Sequence, residues 1–162
     1  MMKWMLIGMM LIASSCFAET LFVCTGNTGR SYMAEVLANK KLYHDSFSRG
    51  INVKTKTPEK NVTKVLSEWN IKQTHTPQQI QKSDLEKANL ILTMTAEQKK
   101  WLIQQYPVFQ RKILTLSECA TGKNEDILDA YQKKISFYRK TRNQIFKYEE
   151  KLSSRRWLCT HY

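Results

Sequence analysis

The chain of 162 residues is poor in glycine (5), proline (3), cysteine (4) and histidine (3). So little Gly and Pro, with 42% hydrophobic and 25% charged residues, excludes collagen-like, low-complexity and wholly disordered chains. Four Cys are too sparse for a disulfide scaffold at this length. His44, His75 and His161 stand at no metal-ligand spacing with one another or with Cys, so no metal site is expected. Acidic residues are a minority, 14 against 26 Lys and Arg, which leaves a formal charge of +12. That excess favours anionic partners: phosphorylated substrates, nucleic acid or anionic lipid. The basic residues are scattered, apart from short runs such as Lys99-Lys100 and Arg155-Arg156. Scattered charge is the pattern of a solvated surface, so no nucleic-acid partner is expected. There is no internal repeat, and the length suits one compact domain.

No apolar run is long enough to span a bilayer comfortably, so no stable membrane span is expected. The longest, Trp4 to Ala13, is broken only by Gly8 and follows the positive start Met1-Met2-Lys3. Ser14, Ser15, Cys16, Phe17 and Ala18 come next. Charged start, apolar middle and small-residue end are the layout of a signal peptide, here cut after Ala18. A lipoprotein reading with Cys16 as the lipidated residue is a weaker match, and an N-terminal extension of a domain beginning near Glu19 is the bland alternative. The expected organisation is a leader over 1–18, one domain over 19–152 and a tail over 153–162 without a reliable pattern. Export, periplasmic or secreted, follows if the leader is a signal peptide; otherwise the protein is cytoplasmic.

Past the leader, strand-like and helix-like patterns alternate. Thr20 to Cys24 is a short β-rich run that stops at Thr25-Gly26-Asn27-Thr28-Gly29-Arg30. Ser31 is placed to N-cap a helix from Tyr32, with Met33, Val36, Leu37 and Ala38 as its apolar face. Asp45 to Ser48 suggests a second strand. From Pro58, the residues Val62, Val65, Leu66 and Trp69 recur at helical spacing, and Asp84 to Lys87 suggests a helical turn. Asn89 to Thr93 has the continuous apolar character of a buried strand, and Thr95 caps a helix to about Gln105. Lys112 to Leu116 predicts a fourth strand and Ser117 to Tyr131 a loop. A last helix carries Ile135, Tyr138, Ile145 and Leu152 on one face. Strands separated by helices imply a mostly parallel sheet, with ligands beyond the carboxyl ends of its strands.

The loop after the first strand has the residues for binding an anion and attacking it. Gly26 and Gly29 permit tight curling, and Asn27 tolerates a left-handed conformation, so successive N–H groups can point inward. The following helix adds its positive end, and Arg30 can grip two phosphoryl oxygens. Such a cradle favours the thiolate of Cys24, the nucleophilic form, and Ser31 can donate its hydroxyl to it. The competing reading of Cys24 is a buried structural cysteine at a strand end.

The string Val23-Cys24-Thr25-Gly26-Asn27-Thr28-Gly29-Arg30-Ser31-Tyr32-Met33-Ala34-Glu35 resembles the signature of the low-molecular-weight protein tyrosine phosphatases. The resemblance continues through Ser48-Arg49-Gly50, Asn89 to Thr95 and Asp126 to Tyr131, and covers about residues 19–152. It implies a flavodoxin-like α/β fold, a three-layer sandwich with a four-stranded parallel sheet flanked by helices, and no metal or organic cofactor. Cys24 would match the nucleophile that forms a phosphocysteine intermediate, Arg30 the phosphate-binding residue, and Thr25 to Arg30 the phosphate loop. Asp129 falls where the family has its general acid, followed by Tyr131 as the family's aromatic; Asp126 is the rival acid. The implied partners are a phosphorylated protein as substrate and inorganic phosphate as product.

Thr28, two residues before the loop Arg, stands where tyrosine-specific members usually carry a bulkier aliphatic residue. It resembles the protein-arginine phosphatase branch, as does the stretch from Lys112 onward, so phosphoarginine is expected over phosphotyrosine. The chain departs from the family in having Gly29 in place of a second loop Cys, Ala130 in place of Pro after the acid, Arg49 in place of Ala, and a leader. If the chain is exported, Cys119 and Cys159 can pair and leave Cys24 free. The alternatives are a catalytically weak phosphoprotein-binding member of the family and an arsenate reductase. The latter needs a closely spaced pair of thiols that Cys119 and Cys159 do not supply in sequence.

Overall fold

The computed structural model describes residues 19–42 and 44–160, with the backbone alone for 156–158 and 160. The leader-like segment lies outside the described residues. Four strands, β1 (Thr20–Cys24), β2 (Ser46–Gly50), β3 (Leu90–Thr93) and β4 (Ile113–Thr115), form a parallel sheet in the order β2-β1-β3-β4. Thr20 stands opposite Ser46 on one side and Leu90 on the other, and Ile91 stands opposite Ile113. The helices are α1 (Arg30–Lys41), α2 (Lys60–Ser67), α3 (Lys82–Lys87), α4 (Ala96–Gln105), α5 (Leu116–Thr121) and α6 (Ile135–Thr160), with a 3-10 turn over Pro107–Lys112.

The central strands are apolar at successive positions because both sheet faces are covered. Phe22, Cys24, Leu90 and Leu92 pack into one layer with Leu37, Val62, Cys119 and Ile145, from α1, α2, α5 and α6. Their neighbours Leu21, Val23, Ile91 and Ile113 face the opposite way, onto Leu85 of α3 and Leu102 of α4. The period-2 alternation of the strands thus separates two cores. Each fully buried Leu or Ile contributes about 1.5–3 kcal/mol. This is the expected three-layer α/β sandwich. The chain moves outward from β1 to β2, then crosses back to β3 and β4. The loop after β1 therefore lies at the reversal of strand order, where such sheets bind ligands.

Local structure departs from the sequence expectations at three places. Ser31 is not the N-cap of α1: the helix begins at Arg30, Gly29 stands at the cap without a side-chain bond, and Ser31 is buried inside the first turn. Leu116, expected to end the fourth strand, and Ser117–Thr121, expected as loop, form a helix, because Thr115 and Glu118 form a capping box. Gly122, at φ 74°, ends that helix. Finally, α6 continues past Leu152 to Thr160. A disulfide between Cys119 and Cys159, with Cα atoms 5.5 Å apart, ties α5 to the far end of α6. Cys24 is left as the free cysteine among the described residues. Near the middle of α6, buried Arg142 donates to the Val65 carbonyl at 2.6 Å and to Glu68 at 2.9 Å, and stacks over Trp69. These bonds hold α2 against α6, and with it the segment before α2 that borders the site. No helix among the described residues is long and apolar enough to cross a membrane.

Candidate active site

Cys24 is the last residue of β1 and Arg30 the first of α1, so the loop between them must reverse direction within five residues. Asn27 makes the turn at φ 56°, a left-handed conformation that Asn tolerates. Its side chain is wholly buried and fully used. The carbonyl oxygen accepts the Gln78 N–H at 2.9 Å, and the amide nitrogen donates to Ser31 Oγ at 2.9 Å and Ser48 Oγ at 2.8 Å.

Three loop carbonyls are bonded outward. Thr25 O accepts from Asn52 N–H at 2.8 Å, Thr28 O from Glu59 N–H at 3.1 Å, and Asn27 O from the His75 ring at 2.8 Å. In a planar trans peptide the N–H points opposite the C=O, so the N–H groups of Gly26, Thr28 and Gly29 are turned inward. His75 stacks on Tyr32 at 4.0 Å. Burial pushes its imidazole below the ordinary range, and a carbonyl partner requires the proton on Nε2. Gly50 closes the cradle from behind: a Cβ there would fall 2.8 Å from Thr25 O and 3.0 Å from Asn27 N.

Two donors converge on the Cys24 sulfur. The Asn27 N–H is 3.3 Å from Sγ, and Ser31 Oγ is 3.0 Å away. Ser31 Oγ already accepts from the Asn27 amide, so its own proton can go to Sγ at 3.0 Å or to the more distant Arg49 carbonyl at 3.5 Å. A thiolate in that position is stabilised by both. Ser48, which also accepts from Asn27, donates its hydroxyl hydrogen bond to Glu35. Burial pushes the Glu35 carboxyl upward, against the opposing pull of the Ser48 hydrogen bond and Arg49.

On the same cavity, Arg30 donates from Nη1 to the Ile127 carbonyl at 3.2 Å and from Nη2 to Asp129 Oδ2 at 3.0 Å. The Asp129 carboxylate is 57% exposed and its other oxygen accepts the Tyr131 N–H at 3.0 Å. The rival acid is placed differently. Asp126 Oδ1 accepts the Ala96 N–H at 2.9 Å and so satisfies the first turn of α4.

A cavity of about 540 Å³ opens between these groups. Of the residues singled out in the sequence, Cys24, Thr25, Gly26, Thr28, Gly29, Arg30, Asp129 and Tyr131 line it. Asn27 and Ser31 do not; both are buried behind the loop, where they support Cys24. Lys54, Glu59 and Tyr138 also line the cavity, and sequence reasoning did not pick them out as site residues. Glu59 accepts the Thr28 hydroxyl at 3.1 Å on Oε1 and the Tyr138 phenol on Oε2. Burial and the adjacent Glu59 carboxylate push the Tyr138 phenol well above its ordinary range, so it stays a donor. Nothing in the local sequence around Pro58-Glu59 signals this contact, which spans 31 residues.

The chain resembles known proteins over most of its length. The model of the family described as low molecular weight phosphotyrosine protein phosphatase matches residues 19–156. A protein-arginine-phosphatase of Bacillus subtilis is 31% identical over 137 residues, 78% of this chain and 89% of the relative. A low molecular weight protein-tyrosine-phosphatase, PtpB of Staphylococcus haemolyticus, is 39% identical over 128 residues, 76% of this chain and 89% of the relative. Among solved structures, the YwlE arginine phosphatase from Geobacillus stearothermophilus superposes with a TM-score of 0.82 at 28% identity, covering 90% of this chain and 97% of its own. With the family model matched over nearly all the described residues, the chain belongs to the low molecular weight phosphotyrosine protein phosphatase family.

Proposed function

We propose that this phosphatase is a protein-arginine phosphatase that works through a phosphocysteine intermediate, with Cys24 as nucleophile, Arg30 as phosphate ligand and Asp129 as general acid. The observation that carries the specificity is Thr28, whose short polar side chain lines the cavity where an aliphatic residue would pack against a phenol ring. The 31% identity to a protein-arginine-phosphatase supports the same reading. In the first step Arg30 exchanges Asp129 for the phosphoryl oxygens, which the inward loop amides also hold. The Cys24 thiolate attacks phosphorus in line, the P–N bond breaks, and its electron pair stays on the guanidino nitrogen. That nitrogen takes the proton of the Asp129 carboxyl, because nitrogen departs poorly unless protonated. In the second step the Asp129 carboxylate takes a proton from water, whose oxygen attacks phosphocysteine. Inorganic phosphate leaves, and the thiolate is restored.

A second reading, phosphotyrosine as substrate, is favoured by the 39% identity to a protein-tyrosine-phosphatase. Phosphate release by residues 19–162 from matched phosphoarginine and phosphotyrosine peptides, with Cys24→Ser as the blank, separates the two. The expected result is a clear preference for phosphoarginine. A preference for phosphotyrosine overturns the specificity, and no release above the blank overturns the catalytic mechanism. Export is proposed on two features: the leader pattern of residues 1–18 and the Cys119–Cys159 disulfide, a bond that persists in oxidising compartments. A mature protein that keeps residues 1–18 in a reducing compartment would contradict it.

A further inference from the structure

Glu59 places a carboxylate on the wall of a cavity built to hold an anion. Alone, that weakens phosphate binding, because like charges at close range repel. Yet the surrounding residues hold Glu59 against the loop. Its N–H donates to the Thr28 carbonyl at 3.1 Å, its Oε1 accepts the Thr28 hydroxyl at 3.1 Å, and its Oε2 accepts the Tyr138 phenol. Gly29 makes room for it: a Cβ at position 29 would fall 2.9 Å from Glu59 Oε1 and 3.8 Å from its Cδ. The bare glycine in the loop and the carboxylate beside it are therefore one arrangement. A side chain at 29 would push Glu59 out.

The arrangement has a chemical consequence. Thr28, having given its only hydroxyl proton to Glu59, presents lone pairs to the cavity. Thr28 and Glu59 together form a wall that accepts hydrogen bonds and carries negative charge. The phenol of phosphotyrosine brings neither N–H donors nor positive charge to such a wall. A phosphorylated guanidinium brings both, on the nitrogens that do not carry phosphorus. On the phosphoarginine reading above, we propose that Glu59, seated by Gly29 and oriented by Thr28 and Tyr138, is a specificity-determining residue that recognises the guanidinium of the substrate and disfavours phosphotyrosine.

The test is kcat/KM on matched phosphoarginine and phosphotyrosine peptides for the wild type, Glu59→Gln and Gly29→Ala. Gln keeps the size of Glu59 and an acceptor for Thr28 while removing the charge. The ratio of phosphoarginine to phosphotyrosine activity is expected to fall about 10–100-fold in Glu59→Gln, the range of a lost hydrogen bond to a charged group. Gly29→Ala, which displaces the carboxylate by a different route, is expected to lower the ratio in the same direction. Thermal unfolding of both variants checks that the ratio is read on folded protein. A wild type that prefers phosphoarginine, with a ratio unchanged in both variants, overturns the role of Glu59 and leaves the phosphoarginine reading standing. Equal loss on both substrates assigns Glu59 to supporting the loop and overturns the proposal in the same way. A wild type that prefers phosphotyrosine overturns both.

Discussion

At the scale of single residues, the site is organised by which atom spends its hydrogen bond where. Ser31 accepts from Asn27 and can give its proton to Cys24; Asn27 in turn is fixed by Gln78 and Ser48. The same bookkeeping separates two aspartates three residues apart. Asp129 lines the cavity and reaches Arg30, whereas Asp126 bonds the N–H of Ala96 at the start of α4. Their variants should therefore fail in different ways. Asp129→Ala is expected to lower kcat by about 10²–10⁴ with little effect on stability, as for loss of a general acid. Asp126→Ala is expected to retain turnover and to lose about 1 kcal/mol of stability, the worth of one satisfied helix-terminal N–H. Steady-state rates and urea midpoints on both variants check this; a silent Asp129→Ala with a crippled Asp126→Ala would reverse the assignment.

At the scale of elements, the end of the chain is secured by a short helix. Thr115 both closes β4 and caps α5, so strand and helix meet with no loop between them. The disulfide from α5 to Cys159 then closes a stretch of 40 residues that includes the Asp129 loop and nearly all of α6. Cross-linking a stretch that long is worth about 3–4 kcal/mol in the chain-entropy account. Cys159→Ser is expected to lower stability by that amount while the folded protein keeps its turnover, since α5 contributes no residue to the cavity lining. Denaturant unfolding with and without reductant measures it. Coincident curves for oxidised and reduced wild type would show that the bond contributes nothing.

At the scale of the whole molecule, the most deeply buried carboxyl couples folding to pH. Glu149 on α6 is 1% exposed, and neither carboxyl oxygen has a hydrogen-bond partner among the described residues. Burial raises its carboxyl well above the ordinary range, so the folded chain keeps a proton there to higher pH than the unfolded chain does. Its favourable contribution is fully present below the ordinary carboxylate range. That contribution declines as pH rises above that range, until the folded-state carboxyl itself ionises. The slope approaches about 1.4 kcal/mol per pH unit within that window. Glu149→Gln should flatten the dependence and raise stability at neutral pH. Unfolding midpoints at pH 5, 6 and 7 test this, and parallel profiles for the two proteins would remove Glu149 as the cause.

The sequence by itself determined the alternation of strands and helices, the loop from Cys24 to Arg30 and the acid-bearing segment around Asp129. Each of these is written locally, in hydrophobic period, in Gly and Asn at a turn, or in a contiguous motif. It also named Cys119 and Cys159 as a pair that could form, without the means to bring them together. Tertiary structure decided what depends on residues distant along the chain. Ser31 looked like a helix cap because Ser before an apolar run has that pattern, but in the folded chain its hydroxyl is engaged by Asn27 and Cys24. Ser117–Thr121 reads as loop in the sequence because its capping box overlaps the end of a strand. Glu59 carried no signal at all. Its place beside Thr28 and Gly29 exists only after α2 docks on α6 through Arg142. A short-range pattern encodes the backbone, whereas the charge that faces a ligand is set by which distant side chain the packing brings to it.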